Sequence, residues 1–195
     1  SFENGELILD AAEDIAYLFQ LLLENTVLTH LNVKDNYVGD EGVDIIATYP
    51  ALRSLNLEEC GVSSQGMQWI LSRSSTIESL NLAVNALDDS ALDLVPLQSN
   101  TTLKSLNLSF NKGISSQGYK NLVANLSIHT LTIHGCAGQL TDEVVQELCS
   151  MQNLTSLHVS GNELTHLALI NIGQSKITHL DISYNFVGDE GAVIL

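Results

Sequence analysis

Basic residues are scarce in this chain: seven Lys and Arg stand against 23 Asp and Glu among 195 residues, a formal net charge of -16. A surface of that sign repels the phosphates of nucleic acids and anionic membranes, which argues against both as partners. Long apolar runs are missing as well. Stretches such as Ala16 to Leu23 fall far short of the roughly 20 residues a membrane span needs. The N-terminus also lacks a basic segment followed by an apolar one of the signal-peptide kind, so the chain reads as soluble. The three cysteines, Cys60, Cys136 and Cys149, are odd in number and widely spaced. That is neither a disulfide framework nor a zinc motif, and it fits a reducing, cytoplasmic compartment. A Gly-rich phosphate loop, a nucleophile elbow and a Ser/His/Asp grouping are all absent, so neither catalysis nor a cofactor is expected.

What the chain does have is a repeat. Written from the first apolar residue of each unit, the segments are LTHLNVKDN from Leu28, LRSLNLEEC from Leu52, IESLNLAVN from Ile77, LKSLNLSFN from Leu103, IHTLTIHGC from Ile128, LTSLHVSGN from Leu154 and ITHLDISYN from Ile177. Their starts fall 24, 25, 26, 25, 26 and 23 residues apart, and all seven fit LxxLxLxx(N/C) with only Ile or Val in place of Leu. Because side chains along a strand alternate in direction, the two leucines of LNL face one side, and that side is core. Beyond the Asn or Cys, segments such as VGDEGVDII from Val38, VSSQGMQWI from Val62, ISSQGYKNL from Ile114 and VGDEGAVIL from Val187 place apolar residues at helical spacing.

Over residues 28 to 195 this pattern resembles the leucine-rich-repeat family, and in particular its ribonuclease-inhibitor-like subclass, whose units pair a strand with a full helix. The resemblance implies an α/β solenoid or horseshoe, with a parallel concave β-sheet and helices on the convex side. One unit cannot bury its own apolar face, so stacking is what makes the core. Residues 28–195 read as seven repeats, the last truncated, and residues 1–27, with Leu7-Ile8-Leu9 and AAEDIAYLFQLLLEN, as a degenerate first repeat or N-terminal cap. The abrupt end suggests a part of a longer protein. Ser63, Asp88, Ser115 and Thr141 are suited to cap helices, and Asp40-Glu41, Asp142-Glu143 and Asp189-Glu190 sit where a helix dipole favours negative charge. Pro96 should end the third unit's helix early, and the short return from Leu164 to Gln174 suggests a short helix in the sixth.

Asn36, Cys60, Asn85, Asn111, Cys136, Asn162 and Asn185 form one column, in which buried amides bond the turns between units and a thiol can fill the same space. Cys60 and Cys136 lie three units apart, roughly 14 Å at the strand spacing of a parallel sheet, so they are free thiols. His134 and Cys136 point opposite ways, so no metal site is expected. Four N-x-Ser/Thr triplets, at Asn100, Asn107, Asn125 and Asn153, read as by-products of a repeat rich in these residues, not as glycosylation sites.

On the concave face, an Asn-rich column (Asn32, Asn56, Asn81, Asn107) could bond laterally along the sheet. The next positions vary most and are the candidate partner-binding residues: Lys34, Asp35, Glu58, Glu59, Val84, Phe110, His134, His158 and Tyr184. Phe110 beside Val84, with Asp35, Glu58 and Glu59 toward one end, reads as an aromatic anchor next to an acidic patch. The expected function is protein recognition through the concave face and adjacent loops, the partner carrying a basic or amphipathic patch. Two further readings stand beside it. One is regulation of a small GTPase, since Ran GTPase activators use similar repeats; the other is a structural segment of a larger protein. The acidic, Asn-rich repeats also resemble bacterial leucine-rich-repeat effectors, which would place the chain in a host cell's cytoplasm.

Overall fold

A computed structural model describes residues 2–3, 6–7, 25, 27–136 and 138–194. Strands β1 (Phe2–Glu3) and β2 (Glu6–Leu7) pair antiparallel; the rest of the expected N-terminal cap lies outside the described residues. Each LxxLxL segment then contributes one three-residue strand: β3 (His30–Asn32), β4 (Ser54–Asn56), β5 (Ser79–Asn81), β6 (Ser105–Asn107), β7 (Thr130–Thr132), β8 (Ser156–His158) and β9 (His179–Asp181). They form one seven-stranded sheet in chain order, parallel throughout, with equivalent motif positions opposite one another, as in Leu55↔Leu80 and Asn56↔Asn81. The central leucine of each inner strand is buried while its two neighbours are half-exposed. One face of the sheet therefore belongs to the core and the other is open.

The core side is closed by helices α1 (Gly39–Ile46), α2 (Ser64–Arg73), α3 (Leu94–Ser99), α4 (Ser116–Asn121), α5 (Asp142–Leu148), α6 (His166–Gly173) and α7 (Gly188–Ala192), with 3-10 turns at Asp89–Leu92 and Leu122–Ala124. Val43, Ile46, Met67, Ile70, Leu97, Tyr119, Val144, Val145, Leu148 and Leu169 point inward from them onto the strand leucines. Two expectations about these helices need correction. Pro96 does not end the third unit's helix; it sits in the first turn of α3, where its missing N–H has no helical partner to lose. The break lies before it, between the 3-10 turn and α3. Nor is the sixth unit's helix the shortest: α6 has 8 residues, as does α1, against 10 in α2, 7 in α5 and 6 in α3 and α4. Its loops match those of the second unit, where Ser63 likewise caps three residues after Cys60, so against that unit the difference lies in the helix.

Ser63, Asp88, Ser115 and Thr141 each accept a hydrogen bond from a backbone N–H of the first turn, as their residue types require, and Thr165 does the same. The adjoining position alternates along the chain: Asp40, Ser64, Asp89, Ser116, Asp142, His166, Asp189. The first three Asp of this series reach the next unit. Asp40 accepts from the Ser63 N–H (2.8 Å) and hydroxyl, Asp89 from those of Ser115 (both 2.6 Å), and Asp142 from those of Thr165 (2.9 and 2.6 Å). Ser64 instead donates to Asp88 and Ser116 to the Gln139 carbonyl. Part of the acidity is thus a set of clasps between units as well as a complement to the helix dipoles.

The inner column is the stronger clasp. Asn111 is fully buried; its amide donates to the carbonyls of Leu82, Leu108 and Ser109, and its oxygen accepts from the N–H groups of Asn85 and Leu87 in the preceding unit. Asn85, Asn162 and Asn185 repeat this scheme. Asn111→Ala strands several buried backbone groups at once and is expected to lower stability by about 3 kcal/mol, whereas Asn185→Ala, only half-buried, loses about 1 kcal/mol. Equilibrium urea unfolding of the two variants checks this, and equal losses would show that burial does not set the column's strength.

Candidate binding face

The open face carries the side chains that flank each central leucine, but its asparagines do not form the lateral ladder expected from the sequence. Asn32, Asn56, Asn81 and Asn107 each accept from the backbone N–H two residues on, at 3.0–3.1 Å. Asp181 does the same toward Ser183. Only Asn81 also reaches sideways, donating to Glu58 at 3.1 Å. The short strands explain this: the chain turns as soon as it leaves the sheet, and a local side-chain bond holds the turn. For the same reason strand alternation does not extend to every candidate position. Ala83 and Ser109, which occupy the position of Lys34 and Glu58 in their units, are buried.

The following residue of every unit adopts left-handed backbone: Asp35 (φ 61°), Glu59 (53°), Val84 (56°), Phe110 (60°), Gly135 (61°), Gly161 (67°) and Tyr184 (53°). This reversal is what swings the next residue, Asn or Cys, into the core, and it throws the side chain before it outward onto the rim. Glycine meets the requirement without strain; valine and phenylalanine do not. Even so, Val84 is 39% and Phe110 50% exposed, and Tyr184 91%. The Phe110 ring lies over Gly135, where an added Cβ would stand 2.2 Å from a ring carbon. One face of the ring is thus covered by the neighbouring unit and the other is free. Tyr37 lies over Gly61 in the same manner.

The charges divide the candidates. Lys34 pairs with Glu58 at 3.0 Å, so part of the acidic patch is neutralised within the chain, leaving Asp35 and Glu59 as its free carboxylates. Other cations are similarly engaged: Arg53 and Lys104 both pair with Glu78 (3.0 and 2.7 Å), Arg73 with Asp44, and Lys120 with Glu143. Arg73 also stands 5.0 Å from the centre of the Trp69 ring. The Arg53–Glu78–Lys104 chain crosses three units at the sheet's other edge, a column that reading the motif from its variable end leaves out.

At the far end of the face His134 lies close to Ser160, whose hydroxyl is 2.7 Å and backbone N–H 3.2 Å from Nδ1. A backbone N–H can only donate, so Nδ1 carries no proton and the neutral ring is protonated on Nε2. Burial holds His134 below the ordinary imidazole value and nearby His158 adds to this, while Asp181 partly offsets it. The thiols are of the inert kind. Cys60 is buried, with Sγ 3.1 Å from the Val33 carbonyl, and burial pushes its pKa up to about 11. Half-buried Cys149 is also raised to about 11 by burial. Among the described residues no three His, Cys, Asp or Glu side chains gather as a metal site, and no helix is long and apolar enough to cross a membrane.

The N-x-Ser/Thr triplets have a structural role. Asn100 and Asn125 are buried, cap the turns that lead into β6 and β7, and donate back to the Leu71 and Leu97 carbonyls. They stand three residues before the first leucine of their units, with Ser74 and Asn25 in the same place, and that spacing was the available signal. A second feature missed in sequence is a cleft of about 400 Å³ on the rim, lined by Lys112, Gly135, Cys136, Gln139 and Gly161.

Comparison with known proteins places this architecture. Residues 24–47, 99–123, 150–172 and 173–194 match the family model described as Leucine Rich repeat. Human NACHT, LRR and PYD domains-containing protein 5 is 29% identical over 100% of this chain and 18% of its own length. Pig ribonuclease inhibitor is 26% identical over 94% of the chain and 49% of its own length. The chain thus spans half or less of these relatives. A solved TLR13–ssRNA13 complex superposes with a TM-score of 0.56 at 21% identity, over 95% of this chain and 29% of that one, a likeness of fold alone. The chain belongs to the leucine-rich repeat family, in its ribonuclease-inhibitor-like form.

Two measurements test this geometry. Because the folded His134 binds its proton more weakly than an unfolded histidine near 6.5, the unfolded state holds more protons between the two values. Its contribution to stability is therefore complete above about pH 6.5 and is lost as pH falls through the folded value. NMR titration should find His134 below the free-histidine value, and His134→Gln should flatten this part of the stability profile; a raised His134 value would contradict the burial argument. Val84→Asn, which tolerates the left-handed conformation, should raise stability by about 1 kcal/mol in urea unfolding. No gain would mean that the valine's contacts compensate its strain.

Proposed function

We propose that this chain is a protein-recognition module that binds its partner through the open, concave face and the adjoining rim, using Lys34, Asp35, Glu58, Glu59, Val84, Phe110, His134, His158 and Tyr184. The observation that carries this reading is the pairing of exposure with strain. Phe110 and Val84 occupy a conformation that disfavours them, and their exposed surface offers little packing in return; strain retained at an exposed apolar rim is a reason to look for a function there. The partner suited to this face carries a basic or amphipathic patch. Most of the chain's few cations are already paired with its own carboxylates, so the outward field is negative. Association should be accelerated by that field and slowed by salt.

Regulation of a small GTPase is a weaker reading, because the chain's two arginines, Arg53 and Arg73, are both held in ion pairs and neither is free to stabilise a transferring phosphoryl group. A role confined to spacing other segments gives Phe110 no task. A cytoplasmic site of action, in a host cell if the chain is a bacterial effector, rests on composition. Affinity capture with the native chain and with a folded Glu58→Lys, Glu59→Lys, Phe110→Ala variant, at low and high salt, tests the proposal. A partner held by the native chain at low salt and released by the variant is the expected result. Capture unchanged by the variant would move the site off this face.

A further inference from the structure

The rim column interrupts itself. Side chains project at Asp35, Glu59, Val84 and Phe110, stop at Gly135 and Gly161, and resume at Tyr184. The Phe110 ring covers Gly135, but a Cβ built on Gly161 would have only the Gly135 nitrogen within reach, at 3.9 Å. This gap is the cleft of about 400 Å³, within the size range of sites that hold a bound group. Its walls differ from the rest of the face. Phe110, half-exposed, packs its ring over Gly135, one of the lining residues. Lys112, which lines it, is exposed and forms no ion pair among the described residues, in a protein where Lys34, Arg53, Arg73, Lys104 and Lys120 are all paired with carboxylates. Gln139 also lines it. An unpaired ammonium beside an apolar ring suits an anionic group carried next to apolar surface. The strongly negative net charge disfavours a free anion, which would bring no other contact to offset it.

Resting on the recognition reading above, we infer that this cleft receives an Asp or Glu side chain of a partner segment. Its carboxylate sits on the Lys112 ammonium, and a neighbouring apolar side chain lies on Phe110. The partner's chemistry is then two-signed. Glu59 and the free carboxylate of Asp35 lie three and four units from Gly135, roughly 14 Å for the nearer at about 4.8 Å per strand, which about four residues of extended chain span. A segment crossing the rim would therefore carry Lys or Arg about four residues from its acidic residue.

The test is selection from a phage-displayed random peptide library against the native chain, followed by anisotropy measurements on the enriched peptides. The variants are Lys112→Glu, Gly161→Asn and Glu59→Lys, each first shown to unfold cooperatively. Asn tolerates the left-handed backbone at position 161 while filling the gap. Expected peptides pair an acidic and an apolar residue with a basic one about four positions away. Lys112→Glu and Gly161→Asn should each weaken them about tenfold or more, the loss of one charge-assisted contact, and exchanging the peptide's acidic residue for Lys should restore binding to Lys112→Glu. Peptides weakened by Glu59→Lys but indifferent to Lys112→Glu and Gly161→Asn would overturn the cleft and leave the recognition reading standing. A selection without binders, or with binders insensitive to all three changes, would overturn both.

Discussion

Every turn that leaves this sheet buries backbone N–H and C=O groups that no strand partner can reach, and the structure depends on how those groups are satisfied. Strands of three residues end too soon for the ladder to do it. One inward asparagine per unit does it instead, donating to carbonyls of two units and accepting from the N–H groups of the one before. A carboxylate could not donate and a hydroxyl could not span both directions. The two exceptions are informative. Cys60 gives its proton to a carbonyl, and the backbone oxygen of Cys60 accepts from Val38, where in the next unit the Asn85 amide oxygen accepts from Val62.

The same constraint creates the surface. Turning the amide inward forces left-handed backbone on the residue before it, and that residue's side chain becomes the rim. The rim can therefore change side chain by side chain without disturbing the core, at the expense of strain wherever it is not glycine, asparagine or aspartate. Interior uniformity and exterior variety come from a single dihedral angle. This is a physical reason for a stack of nearly identical units to present a face on which Asp35, Val84, Phe110 and Gly161 all occupy the same position.

The strands, their order, the buried column, the helix caps and the free thiols were legible in the sequence, because each depends on a residue type at a fixed offset from the leucines. Features that depend on neighbouring units were less so. Lys34 and Glu58 look like a charged patch in one dimension and are an ion pair in three. Asn100 and Asn125 read as by-products of composition until their amides are seen to hold the turns between units. The short sixth unit suggested a short helix, yet α6 is shorter only than α2, because the count of residues cannot say how a unit is divided between helix and loops. The cleft beside Lys112 was missed because it consists of side chains that are not there, and Gly135 and Gly161 register in a sequence as absence.

The alternation of Asp40, Ser64, Asp89, Ser116 and Asp142 sets the grain of the array. Removing the second unit alone would bring Asp40 against Asp88, two carboxylates where the clasp needs a hydroxyl. Removing the second and third together would bring it against Ser115 and leave the clasp intact. For a deletion that begins at the second unit, the step that shortens the chain without a fault at this joint is thus two units, about 50 residues, even though each unit, taken by its leucines, looks interchangeable with any other.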